Sequence, residues 1–350
     1  LQAPESAMCG DCHDMSMTEM RVKHGPIGSG TCSSCHDPHQ SDQSMLLKSE
    51  KPGLCMQCHT KASLEGGMAN QHYPFEDDCA NCHTTHSSEQ DHLLNEKMPD
   101  LCYMCHDSEP FLDTTKVIHQ VVNDEKGCSN CHSPHASDQG MLLTKEGKAL
   151  CLDCHNGAIE TEERILANIG ESLKEGNFIH GVIEMDGCTT CHAPHSSDYP
   201  VLLNGTYPTS TYTEALAENF DLCFTCHDAE LMTSETTDYA TNFRDGDQNM
   251  HFLHINGTKG RNCNLCHDMH GSPNEHLIAE SVMFGNWDLP GGFKVDENGG
   301  SCLTGCHAEK AYTRVPYQAG KHKQKSSHCF TFCRIQCIVA VRYIAGVLSR

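Results

Sequence analysis

Residues 32–47 read CSSCHDPHQSDQSMLL, and this stretch decides the fold because its pattern returns along the chain. A histidine follows a Cys-x-x-Cys pair directly, a second histidine comes three residues later, and a serine and two aliphatic residues complete the pattern. The arrangement begins again at Cys79, Cys128, Cys188 and Cys263. Such self-similarity indicates a repeat architecture, in which each unit contacts mainly its neighbours.

The Cys-x-x-Cys-His motif occurs ten times, whereas chance would give about 0.1 copies at this composition. An eleventh site, Cys302-Leu-Thr-Gly-Cys306-His307, has one additional residue between its cysteines. The cysteines of the ten regular motifs are Cys9 and Cys12, Cys32 and Cys35, Cys55 and Cys58, Cys79 and Cys82, Cys102 and Cys105, Cys128 and Cys131, Cys151 and Cys154, Cys188 and Cys191, Cys223 and Cys226, and Cys263 and Cys266. The histidines that follow the eleven pairs are His13, His36, His59, His83, His106, His132, His155, His192, His227, His267 and His307.

The chemistry of covalent haem attachment explains this spacing. Two thioethers must reach two vinyl groups on one edge of a porphyrin, and the adjacent histidine must reach the iron, which a single tight turn allows. A zinc site uses Cys-x-x-Cys as well, but it does not need a histidine after every second cysteine. A disulfide framework would also leave the histidines unexplained. We therefore expect haem c at all of the sites, about eleven in number.

The motifs are arranged in pairs. The two motifs of a pair start 23 residues apart in the units that begin the pattern at Cys32, Cys79 and Cys128, and insertions lengthen this to 35 and 39 in the last two. The sequence predicts one undecahaem region, 1–325, and a basic tail, 326–350, of unassigned role. The region divides into a half unit at 1–23 and five paired units at about 24–71, 72–118, 119–179, 180–250 and 251–325.

This paired motif resembles the doubled-CxxCH multihaem cytochromes, and the resemblance covers residues 9 to about 322. That group includes decahaem cytochromes that cross the outer membrane inside a porin, and extracellular cytochrome filaments. The resemblance implies electron transfer and iron coordinated by two histidines.

The histidine count agrees with two-histidine coordination. Each paired unit carries a histidine seven to nine residues before its first cysteine and another three residues after its first motif, and His322 supplies one more. The predicted second ligands are His24, His39, His72, His86, His119, His135, His180, His195, His254, His270 and His322. Four histidines are not expected to bind iron: His92, His251, His276 and His328.

The fold is expected to be mostly irregular coil with short α-helices and few strands, built as repeats around a chain of haems. If His36 and His39 bind different irons, one short backbone segment holds two porphyrins close together. Each motif is expected to form about one turn of helix, and the aliphatic pairs to pack on haem faces. The longest predicted helix is 160–175, and the insertions at 204–222 and 271–301 are expected to be loops, with a short helix near 214–220.

Composition restricts the function. Cysteine accounts for 25 residues and histidine for 26, while aromatic residues make up only 6%, so side chains alone supply little core. The net charge of −23 argues against nucleic-acid binding. Residues 1–309 carry −31 and residues 310–350 carry +8. Together with the half units at the two ends, this separation predicts head-to-tail assembly, which generates a filament when the contact does not close.

We expect an electron conductor and not an enzyme. The leading prediction is a secreted or cell-surface homopolymer that passes electrons to other redox proteins or extracellular acceptors. The alternative is a conduit of the periplasm and outer membrane, with a porin as partner. A multihaem nitrite or hydroxylamine oxidoreductase is less favoured, because no Cys-x-x-Cys-Lys motif occurs. Cys329, Cys333 and Cys337 lack a following histidine and receive no function.

Overall fold

A computed structural model describes residues 3–60, 64, 67–161 and 165–314. The predicted ligand His322 and the basic tail at 326–350 therefore lie outside the described residues. The chain divides into two compact bodies, Leu1–Asp153 and Cys154–Arg350, called here the N-terminal and C-terminal bodies. The division falls inside the unit predicted at 119–179.

Short helices separated by coil make up most of the described chain, which confirms the predicted fold class. The longest of the described helices has nine residues, because turn-forming and cofactor-binding residues interrupt every apolar stretch. The α-helices are Glu5–Gly10, Gly25–Gly28, Tyr73–Asp77, Asp100–Tyr103, Glu109–Leu112, Gly147–His155, Ile169–Ser172, Gly181–Met185, Asp221–Phe224, Glu230–Thr233 and Met250–Ile255.

Single turns of 3-10 helix recur at fixed places in the repeat, one at the first motif and one at the aliphatic pair. Those at cysteine motifs are Cys32–Ser34, Cys55–Gln57, Cys79–Asn81, Gly127–Asn130, Cys188–Thr190 and Cys263–Leu265. Those at aliphatic pairs are Ser44–Leu46, Asp91–Leu93, Gly140–Leu142, Pro200–Leu202 and Glu275–Leu277. The remaining turns are Ser16–Thr18, Gln120–Asn123 and Ala217–Phe220.

Two-residue strands pair segments from different units within each body. In the N-terminal body, Val22–Lys23 pairs antiparallel with Ser87–Ser88, and Asn70–Gln71 pairs with Ala136–Ser137. In the C-terminal body, Phe178–Ile179 pairs in the same way with Gly271–Ser272. In each pair, one strand lies just before an upstream histidine. The other strand lies just after the second histidine of a later unit. The remaining short strands are Val117–Ile118, Ile159–Glu160, Ile165–Leu166, Ser196–Ser197, Arg244–Asp245 and Gln248–Asn249.

A larger sheet region lies only in the C-terminal body, among the described residues. Strands Ser281–Phe284 and Trp287–Pro290 form a hairpin. Strands Gly292–Asp296, Gly299–Leu303 and Lys310–Thr313 form an antiparallel sheet in that order. Cys302 therefore lies on a strand, whereas the first cysteines of the paired motifs lie on helical turns.

The apolar core of the described chain is small, as the composition indicated. Its one cluster of buried apolar side chains consists of Phe220, Met232 and Ile255, in the C-terminal body. Elsewhere the buried apolar residues are scattered singly along the units, as Phe75 and Val122 are. Packing among side chains alone therefore does not hold the units together.

The helix predicted at 160–175 is wrong. The structure has the strand pair Ile159–Glu160 and Ile165–Leu166, followed by the one-turn helix Ile169–Ser172. The β-branched Ile159 and Ile165 favour strands, and the Asn168 side chain accepts a hydrogen bond from the Glu171 N–H, which starts the helix only there. The helical spacing of Ile165, Ile169 and Leu173 was therefore coincidental.

The loop predicted at 271–301 is also wrong over most of its length, because this segment contains the hairpin and two strands of the sheet. Gly285, with φ +62°, occupies the first position of the two-residue turn between the hairpin strands, where a type II′ turn favours glycine. The expected short helix near 214–220 is reduced to the 3-10 turn Ala217–Phe220.

Candidate haem-binding sites

Each first motif of a unit is a single turn that brings the two thiols and the histidine together. In unit 24–71 the N–H groups of Cys35 and His36 both donate to the Cys32 carbonyl oxygen, at 3.3 and 3.1 Å. The second motif repeats the pattern, since the His59 N–H donates to the Cys55 carbonyl at 3.0 Å. This is the geometry that covalent attachment of a porphyrin edge requires.

The aliphatic pair closes a loop around the first motif histidine. The Asp37 N–H donates to the Leu46 carbonyl at 2.8 Å, and the Lys48 N–H donates to the Cys35 carbonyl at 2.9 Å. To do this, Met45 and Leu46 adopt positive φ angles of 55° and 54°. The same left-handed pair occurs in every unit, at His92 and Leu93, Met141 and Leu142, Val201 and Leu202, and His276 and Leu277.

This loop gives the motif histidine a fixed hydrogen bond. The His36 Nδ1 lies 2.8 Å from the Met45 carbonyl oxygen, nine residues later. A carbonyl oxygen can only accept a hydrogen bond, so Nδ1 carries the proton and Nε2 is left as the metal-binding nitrogen. The contact repeats at 2.8–3.0 Å in His83 to His92, His132 to Met141, His192 to Val201 and His267 to His276. His92 and His276 thus take part through their main-chain carbonyls, which accept these hydrogen bonds from His83 and His267.

The upstream histidines are held in a comparable way by the next unit. The Nδ1 atoms of His24, His72 and His180 lie 2.9–3.2 Å from the carbonyls of Thr85, Pro134 and Met269, respectively. Each of these carbonyls immediately precedes the second histidine of a later unit. The His24 N–H also donates to the His86 carbonyl at 2.9 Å, so an upstream histidine and a second histidine stand side by side.

Seven pairs of imidazole rings face one another within the two bodies. Their ring centres are 6.0–6.3 Å apart, and their planes diverge by 9–37°. The pairs are His24 with His59, His36 with His86, His72 with His106, His83 with His135, His180 with His227, His192 with His270, and His251 with His267.

This separation fits an iron between the two rings. A metal–imidazole bond is about 2 Å long and the bonded nitrogen lies roughly 1.1 Å from the ring centre, so two axial imidazoles have centres about 6 Å apart. Aromatic pairs in direct contact range over about 4.5–7 Å, whereas all seven pairs fall within 0.3 Å of one another. The residues present therefore fit a haem with two histidine ligands.

The pairing follows a rule. Where an upstream histidine is paired, its partner is the second motif of its own unit, as His24 is with His59. Where the second histidine of a unit is paired, its partner is the first motif of an earlier unit, as His86 is with His36. His83 and His86, three residues apart, therefore face different partners, as required if one short segment serves two neighbouring sites.

Burial lowers the pKa of seven of these histidines, which favours the neutral form that metal binding requires. Desolvation lowers the pKa of His86, with smaller contributions from His36 and His24. It lowers the pKa of His251 to about 4, helped by His267 and His254. Desolvation is also the main cause of the lowered pKa values of His135, His192, His227, His267 and His270.

Thiols of consecutive motifs come close together. Burial and the neighbouring Cys79 thiol raise the pKa of Cys55 to about 11. The Cys102 thiol donates to Cys128, which raises the pKa of Cys102 and lowers that of Cys128 to about 7. The Cys223 thiol donates to Cys263 in the same way, and the Cys32 thiol contacts Cys9. These four pairs of consecutive motifs are therefore neighbours in space.

In unit 251–325 the first motif histidine faces a histidine that was not among the predicted ligands. The sequence predicted His254 as a ligand and His251 as a non-ligand, but the ring that faces His267 is that of His251, at 6.3 Å. His254 instead stacks on Phe243 at 5.8 Å, and its Nδ1 lies 2.6 Å from the Met250 carbonyl. The helix Met250–Ile255 decides which of the two rings points at His267, and sequence spacing could not show this.

The structure also places the remaining predicted site residues. His13 follows the helix that carries Cys9, and the His39 side chain is 92% exposed. The His307 Nδ1 lies 2.7 Å from the Ala308 carbonyl. His119 precedes the 3-10 turn Gln120–Asn123, His155 ends the helix Gly147–His155, and His195 precedes the strand Ser196–Ser197. His322, His328, Cys329, Cys333 and Cys337 lie outside the described residues.

Within the described ranges, no helix has the length and apolar character needed to cross a membrane. The described side chains also contain no cluster of three or more His, Cys, Asp or Glu residues arranged for a metal ion.

Comparison with known families agrees with this geometry. The family model described as the doubled CXXCH motif matches residues 24–64, 72–111, 119–160 and 180–232, just over half of the chain. The matched segments coincide with the first four predicted units, whereas unit 251–325 is outside them. No curated protein matches the chain.

Proposed function

Because the chain belongs to the doubled CXXCH motif family and is a multihaem c-type cytochrome that transfers electrons, we propose that it conducts electrons along about eleven haems. In this proposal each iron has two histidine ligands, and the sites follow one another in sequence order. The protein works outside the cytoplasm, where it delivers electrons to extracellular acceptors or partner redox proteins.

The observation that carries this proposal is the constant spacing of the seven imidazole pairs. Each pair encloses one iron-sized gap between a motif histidine and a histidine from elsewhere in the chain. Bound haem c supplies the redox chemistry, because its iron takes up and releases one electron. Histidines on both sides close the iron to substrates, which favours conduction over catalysis.

The chain's own residues hold the rings and tune their basicity. A hydrogen bond from His36 Nδ1 to the Met45 carbonyl increases the electron donation of the ring to a metal at Nε2. Stronger donation stabilises the oxidised iron and lowers its reduction potential. Since this bond repeats in all five first motifs, the units provide a series of similar sites, as an electron conductor needs.

The thiol contacts support a path in sequence order. In the N-terminal body the Cys9 and Cys32 motifs, the Cys55 and Cys79 motifs, and the Cys102 and Cys128 motifs are neighbours. The gap between the Cys32 and Cys55 motifs is bridged by the hydrogen bond between His24 and His86, whose rings face His59 and His36. In the C-terminal body, Cys191 is near Cys223, Cys223 contacts Cys263, and Cys266 is near Cys302.

The experiment that tests conduction is a haem and ligand count on the purified protein. The pyridine haemochrome assay is expected to give about eleven haems per chain, and electron paramagnetic resonance is expected to show low-spin iron throughout. A high-spin population together with turnover of nitrite or hydroxylamine would instead support an oxidoreductase. A count of ten would show that one of the eleven sites carries no haem.

We further propose that chains assemble head to tail into a filament. His39 supports this, because its ring is 92% exposed, whereas His86, His135 and His270 at the same repeat position each face a motif histidine. An exposed ligand of this kind can serve an iron in another chain. The charges of −31 on residues 1–309 and +8 on residues 310–350 also favour attraction between unlike ends.

Electron microscopy of the native material separates filament from conduit. Filaments that shorten as salt is raised from about 0.01 M to 1 M are expected, because the Debye length falls from about 30 to 3 Å. Discrete particles at every salt concentration would overturn the filament. Copurification with an outer-membrane β-barrel would support the porin conduit.

A further inference from the structure

We infer that His251 is the second axial ligand of the haem attached at Cys263 and Cys266. In earlier units, the corresponding ligand of the first motif is a histidine from the following unit, and His251 takes its place. The inference rests on the proposed function, because it requires haem at this motif. It assigns a metal-binding role to His251, which the sequence predicted not to bind iron.

The regular units show what is replaced. His36, His83 and His192 each face a second histidine from a later unit, namely His86, His135 and His270. Within the described residues, His267 faces no such histidine and instead faces His251, which precedes it in its own unit. The centres of these two rings are 6.3 Å apart and their planes diverge by 21°, values that match the regular pairs.

The position of His251 is rigidly determined. It lies in the first turn of the helix Met250–Ile255, which Asn249 caps. The fully buried Asn249 side chain accepts hydrogen bonds from the N–H groups of His251 and Phe252. Its amide also donates to the carbonyls of Glu230, Leu231 and Ser234, so the helix is anchored to the neighbouring helix Glu230–Thr233 and its C-cap.

Phe243 separates the two candidate histidines. Its ring meets His251 edge-on, at 5.2 Å and 75°, and lies against the face of His254, at 5.8 Å and 24°. His254 is further held by its contact with the Met250 carbonyl. The two rings therefore occupy different places and do not compete for one iron.

An unmet bonding requirement supports the same role independently. The His251 Nδ1 is buried and has no hydrogen-bond partner in the structure, although an unpaired buried polar atom is destabilising. A buried imidazole that the surrounding protein leaves short of a hydrogen bond fits a coordinating role better than a structural one. Its partner His267 has the usual Nδ1 contact with a carbonyl, that of His276.

The assignment changes the ligand count of the chain. With His251 serving the Cys263 site, His254 occupies the upstream position that in other units serves the second motif, which here is His307. The Cys263 site is then complete within one chain. A neighbouring chain's His39 is not needed there, so any contact between chains must involve a different site.

The test compares three single variants of the full-length, haem-loaded protein: His251→Ala, His251→Met and the control Leu253→Ala. Leu253 lies on the same helix and its side chain is 49% exposed. In His251→Ala, about one haem of eleven is expected to become five-coordinate, to appear as high-spin iron, and to bind about one equivalent of carbon monoxide when reduced. Added imidazole should restore the low-spin spectrum.

His251→Met is expected to remain six-coordinate and to raise the reduction potential of one haem, because methionine ligation favours reduced iron. Leu253→Ala should keep the spectrum of the unmodified protein. An unchanged spin state in His251→Ala, with the haem count also unchanged, would overturn the inference and leave the proposed function intact. A Cys263 peptide without haem in the unmodified protein, seen by mass spectrometry, would overturn both.

Discussion

Residues 24–143 and residues 243–313 present the same cysteine and histidine chemistry on different backbones. In the first region, helical turns, left-handed loop residues and two-residue strands position the paired rings, and His36 and His83 each face a histidine from the next unit. In the second, a buried asparagine, an aromatic cluster and a three-stranded sheet surround the last two motifs. Repetition therefore provides ligands in the first region, while local packing provides them in the second.

The difference shows what ends a repeat. A unit that takes a histidine from its successor needs another histidine where the regular pattern stops. That histidine must be held by contacts that the repeat does not contain. Phe243 makes such contacts with Phe293 and Tyr312 of the sheet, at 5.7 and 5.2 Å. The insertion in the last unit thus forms part of the sheet that contacts Phe243.

The largest expected effect comes from removing haem altogether. If every motif cysteine is replaced by serine, amide hydrogen exchange in residues 24–143 should lose all protection, because that region buries few apolar side chains. Residues 243–313 should keep measurable protection from the sheet and the aromatic cluster around Phe243. Equal loss of protection in both regions would show that local packing contributes no independent stability in the second.

Replacing one borrowed ligand tests the regular region. In dispersed chains, His86→Ala should leave the haem at Cys32 without its second ligand and convert about one haem of eleven to high spin. His92→Asn is a matched control, because the His92 side chain is exposed and asparagine tolerates its φ of 56°. Magnetic circular dichroism measures both. A low-spin spectrum in His86→Ala would contradict the pairing of His36 with His86.

The serine of the repeat gives a smaller effect that should differ between the regions. Ser272 and Ser41 each donate to the carbonyl of the second aliphatic residue, Ile278 or Leu47, but Ser272 is 1% exposed and Ser41 only half-buried. Ser272→Ala should cost about 1–3 kcal/mol, because a buried acceptor loses its donor, and Ser41→Ala about 0.5–1.5 kcal/mol. Denaturant midpoints of the haem-loaded proteins measure the difference. Equal midpoints would show that burial at this position does not matter.

The smallest expected effect concerns backbone conformation. Met45 is 81% exposed with φ 55°, a left-handed conformation that asparagine adopts more readily, so Met45→Asn should stabilise by about 0.5 kcal/mol. Met283 is 64% exposed on a hairpin strand, where asparagine is unfavourable, so Met283→Asn should destabilise by up to about 1 kcal/mol. Melting temperatures should shift in opposite directions, and a shift in the same direction would contradict the comparison.

The sequence by itself determined the cofactor chemistry, the repeat and the fold class. Cys-x-x-Cys-His spacing is local, so the single turn at Cys32 follows directly from it, and so does the scarcity of apolar core. The helix at 160–175 and the loop at 271–301 were predicted wrongly. Short apolar patterns such as that of Ile165, Ile169 and Leu173 suit more than one conformation, and contacts with distant residues decide between them.

Only the tertiary structure decided which imidazole faces which. His36 meets His86 from the following unit, and His267 meets His251 from its own, although the sequence predicted that His251 does not bind iron. Partner choice depends on the direction in which each ring projects, and that direction is set by long-range contacts such as those of Asn249 and Phe243. Local sequence determines which rings can bind metal. The packing of separate segments determines which two rings face each other at the separation that leaves room for one iron between them.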